Sequence, residues 1–137
     1  RLLFQVLTAV TQAIGSERVG LRLSPLNSFN SMKDSDPLAL IGFLADRLNA
    51  FKLAYLHVMR ADFFGVQKAD VMPVAREKYK GVLVGNMGYS AEEAEAAIAA
   101  GQLDAVAFGT AFLANPDLPA RIKAKAPSSQ ALYFKRV

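Results

Sequence analysis

Four short apolar runs, each followed by a stretch with helical spacing, constrain this chain more than any other feature. The runs are RVGLRLS (18–24), LAYLHVM (53–59), GVLVG (81–85) and DAVAFG (104–109). The first helical stretch precedes them: in residues 1–14, Leu3, Val6, Leu7, Val10 and Ile14 recur at helical spacing. After a loop from Pro25 to Asp36, Pro37 suits a first helical position with Asp36 as N-cap, and Leu38, Ile41, Leu44, Ala45 and Leu48 share one face. Pro73 marks another helix start. The last helix opens at NPDLPARIKAKA, with Asn115 as cap, Pro116 at the first position and Pro127 at the exit. Strands alternating with helices predict parallel strands joined by helical crossovers. The runs are apolar throughout, which predicts a sheet covered on both faces. Four parallel strands leave two open edges. The α/β pattern therefore fits a four-unit doubly wound domain or half of an eight-unit (β/α)8 barrel. No linker, low-complexity tract or close repeat interrupts it, so 1–137 reads as one unit without an internal domain boundary.

Apolar residues make up 53% of the 137 and charged residues 20%, a balance that builds a core. No apolar run is long enough to span a bilayer. Gln5, Thr8, Thr11 and Gln12 interrupt the opening RLLFQVLTAV, which reads as an amphipathic helix, not a signal peptide. Without an initiator methionine, the chain reads as a fragment or a processed product. The absence of cysteine excludes disulfides and thiolate chemistry and fits a cytoplasmic location. The net charge is +4, and Lys123, Lys125, Lys135 and Arg136 crowd the C-terminal end, which reads as a solvated helix end that suits the dipole, with no basic stripe for nucleic acid. One histidine and no cysteine give no metal constellation and no Ser/His/Asp arrangement.

Chemistry concentrates at two glycine turns. The third run breaks into Gly85-Asn86-Met87-Gly88. A capping box, Ser90-Ala91-Glu92-Glu93, then starts a helix near Ala91. The fourth run enters Gly109-Thr110 and a short helical turn, Ala111 to Ala114. Consecutive strands thus end in glycine turns at the same rim of the sheet. Free amides at such turns suit an anion, and in (β/α)8 barrels the loops after strands seven and eight form a phosphate site. The alternative is that these glycines only make tight turns.

Taken together, VGLRLSP, AYLHVM, GVLVGNMGYSAEEAEAAIAAGQLDAVAFG and ANPDLPARI resemble the C-terminal half of the old yellow enzyme family, in its N-ethylmaleimide reductase-like branch. The resemblance runs in order over residues 1 to 126. It implies the last four βα units of an FMN-dependent barrel, completed by an N-terminal half from another chain or segment. The implied activity is that of an ene-reductase that uses NADPH or NADH to reduce the C=C bond of activated alkenes such as enones and maleimides, with this chain inactive alone. The family's phosphate cradle falls on Gly85, Asn86, Met87, Gly109 and Thr110. The family usually carries arginine at the last of these, so a formal charge is missing here. Phe29 and Tyr133 correspond to residues lining the substrate pocket. Rival readings are a half-barrel for another ligand, such as a sugar phosphate, and a non-catalytic assembly module.

Arg22 lies in the first run. Val19, Leu21 and Leu23 alternate to one face, and Gly20, Arg22 and Ser24 to the other. A solvated arginine at a strand end is the plain alternative. The resemblance instead assigns it to the N1–C2 carbonyl edge of the flavin, where a fixed cation favours the reduced anion. His57 reads as a core or rim histidine. Tyr55, Tyr79 and Tyr89 read as packing residues, because the family's substrate-holding pair and proton-donating tyrosine lie in the other half. The loop MRADFFGVQKADV exposes Phe63 and Phe64 near the same rim, as a cover for the site or as packing against the missing half.

Overall fold

The computed structural model describes residues 1–129, so Tyr133, Lys135 and Arg136 lie outside the described residues. Each apolar run forms a strand, shorter than its run: β1 (Gly20–Leu23), β2 (Tyr55–Met59), β3 (Leu83–Asn86) and β4 (Ala105–Ala107). Between and around them lie α1 (Leu2–Ile14), α2 (Pro37–Leu48), α3 (Val71–Lys78), α4 (Ala91–Ala99), α5 (Thr110–Ala114) and α6 (Leu118–Ala124). By contact the chain divides into two compact units, Arg1–Val106 and Ala107–Val137.

Strand order follows chain order, β1-β2-β3-β4. β1 pairs parallel with β2, and β2 with β3, in a register that places Arg22 beside His57 and His57 beside Val84. The order discriminates between the two folds that the α/β pattern allows. A doubly wound sheet reverses direction at a switch point and sends helices to both faces. Here the order never reverses. Right-handed crossovers that always step the same way put the crossover helices on one side, which is the winding of a barrel wall.

Burial agrees. Leu56, Val58 and Leu83 are fully buried against Leu7 of α1, Ile41, Ala45 and Leu48 of α2, Val71, Met72 and Ala75 of α3, and Ala97 of α4. On the opposite face Gly20, Arg22 and Tyr55 are exposed, and His57, Val84 and Asn86 are half-buried. The expectation of a sheet covered on both faces is thus corrected: among the described residues one face is covered and the other is open. Apolar composition on both faces does not distinguish a two-sided sheet from a barrel wall whose inner face meets other strands.

Local rules set most helix starts. Asp36 caps α2 by accepting the Ala39 N–H at 2.9 Å, with Pro37 at the first position. Ser90 caps α4 by accepting the Glu93 N–H at 3.1 Å. Three expectations are corrected. Helix α3 starts at Val71, two residues before Pro73, because proline is tolerated within a first turn whose amides have no helical partner. Asn115 does not cap the last helix: it ends α5, and α6 follows Asp117, with Pro119 in its first turn. Buried Asn115 instead donates to Ala111 O and Ser129 O and accepts the Ser129 N–H, closing the loop after α6. In α1 the inward face carries Leu3, Phe4 and Leu7, while Val6, Val10 and Ile14 are exposed. The stack of Phe4 on Phe51, with centroids 5.9 Å apart, and its edge contact with Phe43 at 6.2 Å set that rotation.

Candidate functional site

The open face of the sheet carries a polar row toward the C-terminal ends of the strands. Arg22 projects there from β1, as its alternation with Leu21 and Leu23 requires. Its Nη2 donates to Asn86 Oδ1 at 3.3 Å and approaches Met59 Sδ at 3.7 Å. A β1 cation therefore meets the last residue of β3 above the end of β2. His57 stands between them in the register, and its Nε2 is buried without a partner among the described residues. Burial and the neighbouring Arg22 charge lower the His57 pKa, against the opposing effect of the nearby Asn86 amide oxygen. The imidazole is therefore neutral near pH 7, leaving Arg22 as the cation of the row.

The β3 turn comes directly after. Met87 and Gly88 both have positive φ, 87° and 73°, so two successive residues occupy the left-handed region. That region is free to glycine and strained for methionine. Gly85 serves another purpose. A Cβ there would point into the helix layer, 2.8 Å from Leu103 Cδ2, 3.1 Å from Tyr89 Oη and 3.3 Å from Met72 Cε. Its missing side chain makes room for packing behind the strand.

A residue that sequence reasoning passed over holds this turn. Arg60, just after β2, donates from Nε to Met87 O and from Nη2 to Gly88 O, both at 2.8 Å. Its other donors reach Glu93 Oε1 at 2.5 Å and Oε2 at 3.0 Å. The guanidinium lies 3.6 Å from the centroid of the Tyr89 ring. The Glu93 carboxylate, expected to close the capping box, is engaged here, and Arg60 holds its pKa below the usual carboxylate range.

The loops after β1 and β2 are joined by Asp62, which is buried. Its carboxylate accepts N–H groups from Ser28, Phe64, Val66 and Gln67 at 2.8–3.3 Å, and Gln67 Nε2 donates to Leu26 O at 3.0 Å. Burial disfavours the charge, but these amides outweigh it and hold the pKa well below the ordinary aspartate value. The junction brings Phe29 onto Phe64 as a stacked pair at 6.3 Å, with Phe63 edge-on to Phe64 at 5.2 Å. Tyr79 is 2% exposed and packs in the core, Tyr89 packs under Arg60, and the Tyr55 ring covers Gly20.

In the second unit, Gly109 immediately precedes α5 with φ −94°, so its backbone conformation does not demand glycine. Thr110 is the first residue of that helix. Among the described residues no group of three His, Cys, Asp or Glu side chains is placed to hold a metal ion, and no helix is long and apolar enough to cross a membrane.

A singly wound set of parallel βα units, with a cation and a glycine turn at its C-terminal rim, defines part of a (β/α)8 barrel. Residues 1–129 match the model of the NADH:flavin oxidoreductase / NADH oxidase family, and the chain belongs to that family. It is 56% identical over 128 residues to a Leishmania infantum protein described as a probable flavin mononucleotide-dependent alkene reductase, covering 93% of this chain and 34% of that protein. The solved old yellow enzyme from Trypanosoma cruzi is 44% identical and superposes with a TM-score of 0.92 over 94% of this chain and 34% of its own. Morphinone reductase is 36% identical with a TM-score of 0.84, over 93% and 35%. The chain spans about a third of the length of these relatives. It is a partial barrel of the old yellow enzyme type.

Proposed function

We propose that this chain supplies the FMN site of an ene-reductase barrel whose other βα units come from sequence beyond it. The observation that carries the proposal is the Arg22–Asn86 contact, which joins a cation on the open sheet face to the start of the glycine turn. The residues fit the group. The turn after β3 offers backbone amides in a left-handed bend suited to phosphate, and the unpartnered His57 Nε2 adds a polar atom on the face where a ring would lie. Gly85, Asn86 and Met87 are proposed to bind the phosphate through their backbone, and Arg22 to face the N1 side of the ring. Gly109 and Thr110 enter the proposal through the family resemblance alone, as does Phe29 for the substrate pocket, together with Tyr133 outside the described residues.

FMN, when bound, supplies hydride chemistry. The chain's own part is to bind and orient it: Arg22 offers charge where negative charge develops on reduction, and neutral His57 keeps that charge single. NADPH or NADH is the proposed donor and an activated alkene the proposed substrate. The descriptions of the relatives support this reading: one is described as a probable flavin mononucleotide-dependent alkene reductase, and morphinone reductase has been solved in complex with tetrahydroNAD. Membership of a flavin oxidoreductase family favours FMN over a sugar phosphate.

The test is to produce the chain together with the N-terminal βα units of an old yellow enzyme relative. The expected product is yellow, carries one FMN by native mass spectrometry, and bleaches anaerobically with NADPH or NADH. An enone then restores the colour. A folded complex that stays colourless in excess FMN counts against the reading.

A further inference from the structure

Arg60 is bonded to groups that lie far along the chain, and each of its contacts converges on the β3 turn. The Nε and one Nη2 hydrogen form one edge of the guanidinium, and that edge grips the carbonyls of Met87 and Gly88. The remaining edge forms a fork on the Glu93 carboxylate, and the Tyr89 ring covers one face. Peptide planarity fixes the direction of the neighbouring amides. In a trans unit the N–H points opposite the C=O, and there is no cis peptide bond among the described residues. The carbonyls of Met87 and Gly88 share their peptide units with the amides of Gly88 and Tyr89. With both carbonyls drawn to Arg60, both amides are turned to the side away from it. Neither amide donates to another group among the described residues. Two adjacent unpaired amides on a left-handed bend form an anion-binding concavity.

We infer that Arg60 is a positioning residue for anion binding at the β3 turn: it grips the turn from behind and so presents the Gly88 and Tyr89 amides, which continue the Gly85–Met87 backbone, to a phosphate. The identity of that phosphate, the FMN tail, rests on the proposed function. Glu93 compensates the guanidinium charge, so the role of Arg60 is geometric. It also offsets the strain at Met87, a non-glycine residue held at φ 87° by two charge-assisted bonds to its own turn.

Lysine carries the charge without the fork, so Arg60→Lys and Arg60→Ala are both informative, and Glu93→Gln serves as a milder variant should Arg60→Ala fail to fold. The chain, labelled with 15N and assembled with the N-terminal βα units of an old yellow enzyme relative, is titrated with inorganic phosphate and separately with FMN and with riboflavin, which lacks the phosphate. The amide shifts of Gly88 and Tyr89 and the HN–Hα coupling of Met87 are followed. In the wild type, phosphate and FMN move both amides and riboflavin does not. In the variants the Met87 coupling changes and the preference for FMN over riboflavin falls about tenfold, as for loss of one strong hydrogen bond's worth of ordering. Variants with the wild-type coupling and the wild-type phosphate response overturn the role of Arg60 while leaving the flavin reading intact. Amides that respond to phosphate in an Arg60-dependent way, without preference for FMN, sustain the inference and overturn the flavin reading. No response to any ligand in the wild type overturns both.

Discussion

Arg22 Nη2 donates to Asn86 Oδ1 at 3.3 Å, so a β1 cation is tied to the last residue of β3 across the width of β2. The bond fixes where the positive charge sits on the open face. In an FMN-loaded complete barrel, Arg22→Ala is expected to shift the two-electron potential roughly 30–60 mV more negative, the equivalent of about 1.5–3 kcal/mol for a charged hydrogen bond. Asn86→Ala shifts it in the same direction by less, since the cation remains but is no longer steered. Spectroelectrochemistry measures both, and an unchanged potential in flavin-loaded Arg22→Ala contradicts the assignment.

His57 is the sole histidine, so its titration is read from one imidazole signal by NMR. Burial and Arg22 lower its pKa, and Arg22→Ala is expected to raise it by removing the second cause. The unfolded chain binds a proton at the ordinary histidine value and the folded chain does so only at lower pH. Stability therefore falls as pH drops from the ordinary value toward the folded one, then levels off. Urea midpoints between pH 7 and pH 5 check this, and a flat profile in that window counts against a buried neutral His57.

Asp62 holds the β1 and β2 loops together through four backbone N–H groups. Asp62→Ala leaves those amides without their acceptor and is expected to lower Tm by roughly 4–8 °C. The depressed carboxylate pKa gives an acid profile of the same sign as histidine's, in a more acidic window. Its stabilisation is complete above the ordinary aspartate value and is lost as pH falls through the folded one. Thermal melts of wild type and Asp62→Ala from pH 6 down to pH 2 are expected to converge at the acid end.

At Gly85 the expectation is steric. Alanine there meets Leu103 Cδ2 at 2.8 Å, and Leu103 is 2% exposed, so its methyl has little room to retreat. Overpacking of this kind costs about 1–3 kcal/mol. Gly85→Ala is expected to lower the unfolding free energy by that amount, read as a lower urea midpoint at unchanged slope, whereas Gly109→Ala, whose Cβ meets nothing within 4 Å, is expected to leave the midpoint unchanged.

The features legible in the sequence are those governed by neighbours along the chain. Asp36 and Ser90 cap the helices that their positions announce, and the period of two in VGLRLS places Arg22 opposite Leu21 and Leu23 as the structure has it. Features set by distant partners were not. Arg60 looks like any loop arginine until Met87, Gly88 and Glu93 fold onto it, and Glu93 cannot complete its capping box because that arginine claims it. Asn115 carries the signature of a helix cap, yet its amide is used to bind Ser129. One-sided burial was likewise hidden, because a barrel wall and a two-sided sheet are written with the same apolar residues.

The unbroken strand order has a kinetic consequence. Within this chain β2, β3 and β4 each find a partner in the strand synthesised a single βα unit earlier, so no pairing among these four strands waits for a distant segment. Loop-closure entropy is then met in small, similar instalments, and assembly is able to advance from β1 onward while later residues are still being translated. A growing wall of this kind ends each stage with one fresh strand edge, which templates the next strand.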